Sequence, residues 1–298
     1  MNLILSPGQG AQEPGMGKAL FDDSQTARQT FEQANSIVGF DLASICFNGP
    51  ADRLNQTDSS QPAIYVTSIA CYRAQVEAGK IAPDGDYTFA GLSLGEYTAL
   101  HLAGAFSFDD GLKLVAARGR LMQDAATATP SSMVAIIGAD EAAVNDLCAK
   151  SAGDEVLVPA NFNAPGQIVV SGSKGACARF AEQASAAGFR AVPLTVAGAF
   201  HSPIMQPAAD AMKAELDRAA IVKPKQPVYS NVTAELHTDV ESIKRLLVDQ
   251  IVKPVRWEQT MAKVANLPDA KFIELAPGKV LTGLLRKQNR RANIETLG

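Results

Sequence analysis

The nonapeptide Tyr87-Thr88-Phe89-Ala90-Gly91-Leu92-Ser93-Leu94-Gly95 constrains this chain more than any other segment. The run Tyr87–Gly91 reads as a buried strand, and a helical pattern over Leu94–Ala103 begins directly behind it. Between them the backbone must turn sharply, and glycines at 91 and 95 let it approach itself without a Cβ clash. G-x-S-x-G in this setting holds a serine out on a strained corner, where the helix N-terminus favours developing negative charge. Ser93 is therefore the candidate nucleophile.

Strands and helices alternate on both sides of this corner. A strand over 3–6 precedes the turn Pro7-Gly8-Gln9-Gly10, and helices are expected over 24–38, 62–79 and 108–126. After the loop residues 127–132 the rhythm changes: strand 133–137, helix 140–151 capped by Asp140, strands 156–160 and 167–171 joined by Asn161–Gly166, helix 174–187 closed by Gly188, strand 190–196. That order is βαββαβ, the ferredoxin-like unit. Helices over 204–219, 240–251, 255–264 and 280–287 and strands over 227–230 and 271–275 then resume the first pattern. The expected architecture is α/β: a large domain (1–128 and 198–298) with a mostly parallel sheet covered on both faces, and a small inserted domain (129–197).

Composition excludes several functions. With 47% apolar residues in 298 the chain can bury a large core, and 27 basic against 31 acidic residues give no basic stripe for nucleic acid. The amino terminus lacks the basic lead and apolar length of a signal peptide, and no stretch approaches a membrane span of roughly 20 apolar residues. A cytoplasmic location is expected. Cys46, Cys71, Cys148 and Cys177 are scattered without a CxxC pair, so they read as small core residues, and no metal site is expected.

A serine nucleophile needs a base, and there are three histidines. His101 lies eight residues beyond Ser93 on the same expected helix, about 12 Å of rise away and out of reach. His237 sits in a polar loop and reads as solvated, so elimination favours His201 in Gly198-Ala199-Phe200-His201-Ser202-Pro203. For the tetrahedral oxyanion, the helix nominates the backbone N–H of Leu94. The Gly8-Gln9-Gly10 turn is either a second donor at the same sheet edge or an ordinary tight turn.

Motifs along nearly the whole chain resemble one family, the bacterial malonyl-CoA:acyl-carrier-protein transacylases and the acyltransferase domains of polyketide synthases. They are Pro7–Gln12, Ser93–Tyr97, Arg118–Met122, Asn161–Gln167, Gly198–Pro203, Pro254–Trp257 and Pro277–Leu284. The resemblance implies a hydrolase-like α/β domain carrying the ferredoxin-like insert. It implies Ser93 as nucleophile, His201 as base, and backbone amides of Gln9 and Leu94 as oxyanion hole. It orients the histidine through the main-chain carbonyl of Gln250, in place of an acidic triad member. Arg118 would pair with the free carboxylate of malonate, a role that suits a bidentate guanidinium fork. Read without the motif, Arg118 would be an exposed helix residue. Phe200 would disfavour a branched methylmalonyl group, Gln61 would lie near the acyl pocket, and Asn161 near the bound thioester. The implied substrates are malonyl-CoA and the phosphopantetheine thiol of an acyl carrier protein, in fatty acid or polyketide synthesis, with no metal or redox cofactor.

Leu92 departs from the family, which usually carries His before the serine; the change alters local polarity and leaves the base in place. Arg286-Lys287-Gln288-Asn289-Arg290-Arg291 is the densest basic cluster, either a docking patch for an acidic carrier protein or a solvated helix end. Two other functions share these residues: an acyl-thioester hydrolase using the same Ser–His pair, and a non-catalytic carrier-binding scaffold.

Overall fold

The computed structural model describes residues 1–297. From the amino terminus the elements run β1 (Asn2–Ser6), α1 (Lys18–Asp23), α2 (Gln25–Val38), α3 (Leu42–Asn48), α4 (Ala51–Leu54), α5 (Thr57–Glu77), β2 (Tyr87–Gly91), α6 (Gly95–Leu102) and α7 (Phe108–Ala128). Next come β3 (Ser131–Ile137), α8 (Glu141–Ala152), β4 (Leu157–Ala164), β5 (Gln167–Ser173), α9 (Lys174–Ala186) and β6 (Arg190–Pro193). The chain ends with α10 (Gln206–Arg218), α11 (Val240–Val252), β7 (Val255–Arg256), α12 (Trp257–Val264), β8 (Lys271–Glu274), α13 (Val280–Gln288) and β9 (Asn293–Thr296).

Two sheets organise these elements. The first has the order β2-β1-β8-β9 with every pairing parallel. A parallel strand buried on both faces must be apolar throughout, and Leu3, Ile4 and Leu5 are all fully buried. Their side chains alternate: Ile4 packs with Ile64, Phe89 and Tyr97, whereas Leu3 and Leu5 pack with Trp257, Leu281 and Leu285. The second sheet has the order β6-β3-β5-β4-β7, antiparallel except for β4 with β7. Val134, Ile136 and Val170 on its inner face meet Leu147 of α8 and Phe180 of α9. The α/β fold, with a mostly parallel sheet and a ferredoxin-like second unit, is the expected one. All four cysteines are free and buried. Among the described residues no helix is long and apolar enough to cross a membrane.

Several boundaries differ from expectation for identifiable reasons. Asn161–Ala164 is strand, not loop: Phe162 and Ala164 point into the core while Asn161 and Asn163 face the other way, and only Pro165-Gly166 makes the turn. Helix α5 starts at Thr57, five residues before Pro62, because Ser59, Ser60 and Gln61 are buried against its neighbours instead of forming a polar loop. Residues 227–230 lie beside β2 but pair through a single bridge, Phe89 with Val228. The expected helix over 255–264 begins with the two-residue strand β7, which pairs Val255 with Asn161. Edge strand β9 and helices α1, α3 and α4 gave no clear periodic signal; β9 is largely exposed.

Register positions the site. Ser6 at the end of β1 pairs with Gly91 at the end of β2, so the Pro7–Gly10 turn and the Ser93 corner emerge side by side at the carboxyl edge.

Candidate active site

The corner is as tight as its glycines require. A Cβ on Gly91 would lie 1.9 Å from the Gly95 carbonyl oxygen, and one on Gly95 would lie 2.1 Å from that of Ser6. Ser93 itself holds φ 52, the left-handed region a non-glycine residue enters at a cost of order 1–3 kcal/mol. Asn231 clamps this conformation: its Oδ1 accepts from the Ser93 N–H at 2.6 Å and its Nδ2 donates to the Gly91 carbonyl at 2.7 Å. Among the described residues the backbone N–H groups of Leu94 and Gln9 have no protein acceptor. Both belong to the paired turns at the sheet edge.

His201 reaches Ser93 from a stretch 108 residues away, with Nε2 2.8 Å from Oγ. Its Nδ1 lies 2.6 Å from the main-chain oxygen of Gln250. A carbonyl only accepts, so Nδ1 carries the hydrogen and Nε2 presents its lone pair to the serine hydroxyl. Burial, helped by the nearby Arg118 charge, pulls His201 down to about 4, with the Gln250 carbonyl opposing. The imidazole is therefore neutral near pH 7.

Arg118 is 1% exposed and does not lie on the surface of α7. Its Nη1 donates to Gln61 Oε1 at 2.6 Å, and its Nη2 to Gln250 Oε1 at 2.8 Å and to Ser93 Oγ at 3.1 Å. The face of the guanidinium rests over the Tyr97 ring, 5.6 Å from its centroid. Ser93, His201, Arg118 and Gln61 open onto a cavity of about 420 Å³ between the two sheets, which Gln9, Leu92, Asn161 and Phe200 also line. A slightly larger hollow of about 480 Å³, lined by Met16, Leu20 and Pro277, holds none of these groups.

The structure thus brings together Ser93, His201, Arg118, Gln61, Gln250, Gln9, Leu94, Asn161 and Phe200. It sets His101 apart, bonded through Nδ1 to the Phe106 carbonyl and packed among Tyr65, Phe106 and Phe108. His237 corrects the sequence reading: its side chain is wholly buried, with Nε2 2.8 Å from Glu96 Oε1. Sequence reasoning singled out neither Glu96 nor Asn231. A carboxylate in the first turn of a helix, as Glu96 is in α6, ordinarily supports the helix dipole, and an Asn in a loop, as Asn231 is, ordinarily marks a turn, so neither residue type signals a site.

A half-buried serine facing a buried histidine, beside two backbone N–H groups at the carboxyl edge of a parallel sheet, is an arrangement able to handle acyl groups. Residues 4–297 match the acyl transferase domain family, and the chain belongs to it. It is 43% identical to the malonyl CoA-acyl carrier protein transacylase of Bacillus subtilis, over 97% of this chain and 90% of that one. Its fold superposes with a TM-score of 0.95 on the acyl-carrier-protein-S-malonyltransferase of Bartonella henselae, at 40% identity over 100% of this chain and 95% of that one. A type II polyketide malonyl-transacylase, solved in complex with its acyl-carrier protein, gives 0.94 at 36% identity, covering 99% and 95%. The chain is an acyltransferase.

Proposed function

We propose that this enzyme moves malonyl from malonyl-CoA to the phosphopantetheine thiol of an acyl carrier protein through an ester on Ser93. The observation that carries this reading is the buried guanidinium of Arg118 within 3.1 Å of the nucleophile oxygen. A desolvated cation there favours an acyl group ending in a carboxylate, which the fork binds with two parallel hydrogen bonds.

In the first half-reaction His201 Nε2 takes the Ser93 proton as Oγ bonds to the thioester carbonyl. The N–H groups of Gln9 and Leu94 hold the oxyanion. Collapse breaks the C–S bond, and the CoA sulfur leaves with the proton from His201. In the second half the carrier thiol gives its proton to His201, its sulfur attacks the ester, and Ser93 recovers its hydrogen. Side chains and the two thiols supply every proton and electron pair, so the reading calls for no metal or redox cofactor.

Phe200, 6% exposed beside the base, narrows the cavity against a methyl branch, a discrimination of about 1–3 kcal/mol. Gln61 orients Arg118, and Asn161 faces the thioester arm. Residues 1–128 and 198–298 form the catalytic domain, with 129–197 as the insert that closes the cavity from above.

Hydrolysis of the same acyl-enzyme is the competing outcome. Incubation with malonyl-, methylmalonyl- and acetyl-CoA, followed by mass spectrometry of the Ser93 peptide, tests the reading. Malonyl should add about 86 Da, the mass of the acyl group retained by a covalent intermediate. Release of free malonate faster than transfer to carrier protein would reassign the enzyme as a thioesterase.

A further inference from the structure

Arg118 is a fully buried cation whose hydrogen-bond partners are all neutral: Gln61, Gln250 and the Ser93 hydroxyl, with Nε unpartnered. An uncompensated buried charge is costly, yet a carboxylate placed directly on the fork would occupy the site a diacid needs. The fold places an anion one amide away. Gln250 Oε1 accepts from Arg118, and the Nε2 of the same amide donates to Glu96 Oε2 at 2.6 Å. Glu96 is 0% exposed and accepts two more hydrogen bonds, from the Asn231 N–H at 3.2 Å and from His237 Nε2. His237 Nδ1 has no partner, which fits the neutral ring with its hydrogen on Nε2 and leaves the carboxylate charge uncancelled.

We infer that Glu96, acting through the Gln250 amide, is a positioning residue that counterbalances Arg118 and weakens its hold on the substrate carboxylate enough for the acyl group to be passed on. The inference rests on the reading of Arg118 as the carboxylate-binding group. Glu96 touches no reacting atom. Its carboxylate fixes which way the Gln250 amide points, and its charge sets the field at the fork. With Glu96 ionised, diacid and enzyme together hold two buried anions against one cation. Without that charge the pair is neutral, and the diacid is gripped more firmly.

The test is Glu96→Gln, an isostere the neighbouring His237 can accommodate by switching tautomer. Malonyl-CoA and acetyl-CoA binding are measured by calorimetry in a Ser93→Ala background, and the lifetime of the malonyl-enzyme against carrier protein in the Ser93 enzyme. Malonyl-CoA should bind about tenfold more tightly, the scale of a Coulomb interaction across one amide in a protein interior. Acetyl-CoA should change less than twofold, and malonyl transfer to carrier should slow by a similar factor of about ten. A merely structural role would weaken both ligands together, and that result, or weaker malonyl binding, overturns the inference. Arg118→Ala, measured alongside, separates the two levels. If it leaves the malonyl-to-acetyl ratio unchanged, the reading of the cation itself is wrong. If it lowers that ratio while Glu96→Gln fails to raise it, only the role of Glu96 is lost. Should Glu96→Gln not fold, Glu96→Met removes the same charge with an apolar side chain of similar length and must shift malonyl binding in the same direction. Equal shifts for both ligands in that variant are again fatal.

Discussion

Replacing Arg118 by Ala removes the fork while leaving Ser93, His201 and the backbone donors in place. Two charge-assisted hydrogen bonds to a carboxylate contribute about 1.5–3 kcal/mol each. Part of that is already committed in the free enzyme, because Nη1 and Nη2 are held by Gln61 and Gln250 and must be shared or released when the diacid arrives. A net loss of about 3–4 kcal/mol is the reasonable sum, since truncating one partner of a buried charge pair costs 2–5 kcal/mol. At 1.36 kcal/mol per tenfold, kcat/KM for malonyl-CoA should fall by a factor of about 10² to 10³. Acetyl-CoA has nothing for the fork to hold, so its kcat/KM should move only through any general disturbance of the site. The quantity to measure is therefore the malonyl-to-acetyl ratio of kcat/KM in each protein, from which partial misfolding cancels. An unchanged ratio, with both substrates falling together, would refute the argument that Arg118 reads the acyl terminus.

The acid limb of kcat/KM should lie near pH 4, where burial and Arg118 place His201, and not near the ordinary 6.5. The sign follows from the depressed value: the neutral base and its share of stability persist above pH 6.5 and are lost as pH falls through about 4. A titration of kcat/KM with an inflection at 6.5 would contradict it. Gly95→Ala drives a methyl to 2.1 Å from the Ser6 oxygen, so it should lower thermal stability by about 1–3 kcal/mol and activity with it. An unaltered melting temperature would show that the corner has slack. Arg290→Glu with Arg291→Glu should raise KM for carrier protein and leave KM for malonyl-CoA alone; an unchanged carrier KM removes this end of α13 from the docking surface.

What could be read from the sequence divides by range. The Ser93 corner was legible because its chemistry is local: two glycines, a strand and a helix within ten residues. So was the order βαββαβ, which periodicity and caps such as Asp140 reveal directly. The Asn161–Ala164 strand was misread because Asn, Pro and Gly normally signal loops, whereas here alternation with Phe162 decides. Arg118 and His237 show the other limit. Burial of a charged or polar side chain depends on partners 57, 132 and 141 residues away, which no local pattern announces. Resemblance to a family brought Arg118 to notice; nothing comparable pointed to Glu96.

The nucleophile and its base are 108 residues apart, and the carbonyl that orients the base lies another 49 beyond. A chain that stops before Gln250 therefore carries the candidate serine without the carbonyl that fixes the tautomer of its partner histidine. Recovery of activity during refolding should thus report the docking of α11 against the Ser93 corner, and not the formation of helices and sheets alone.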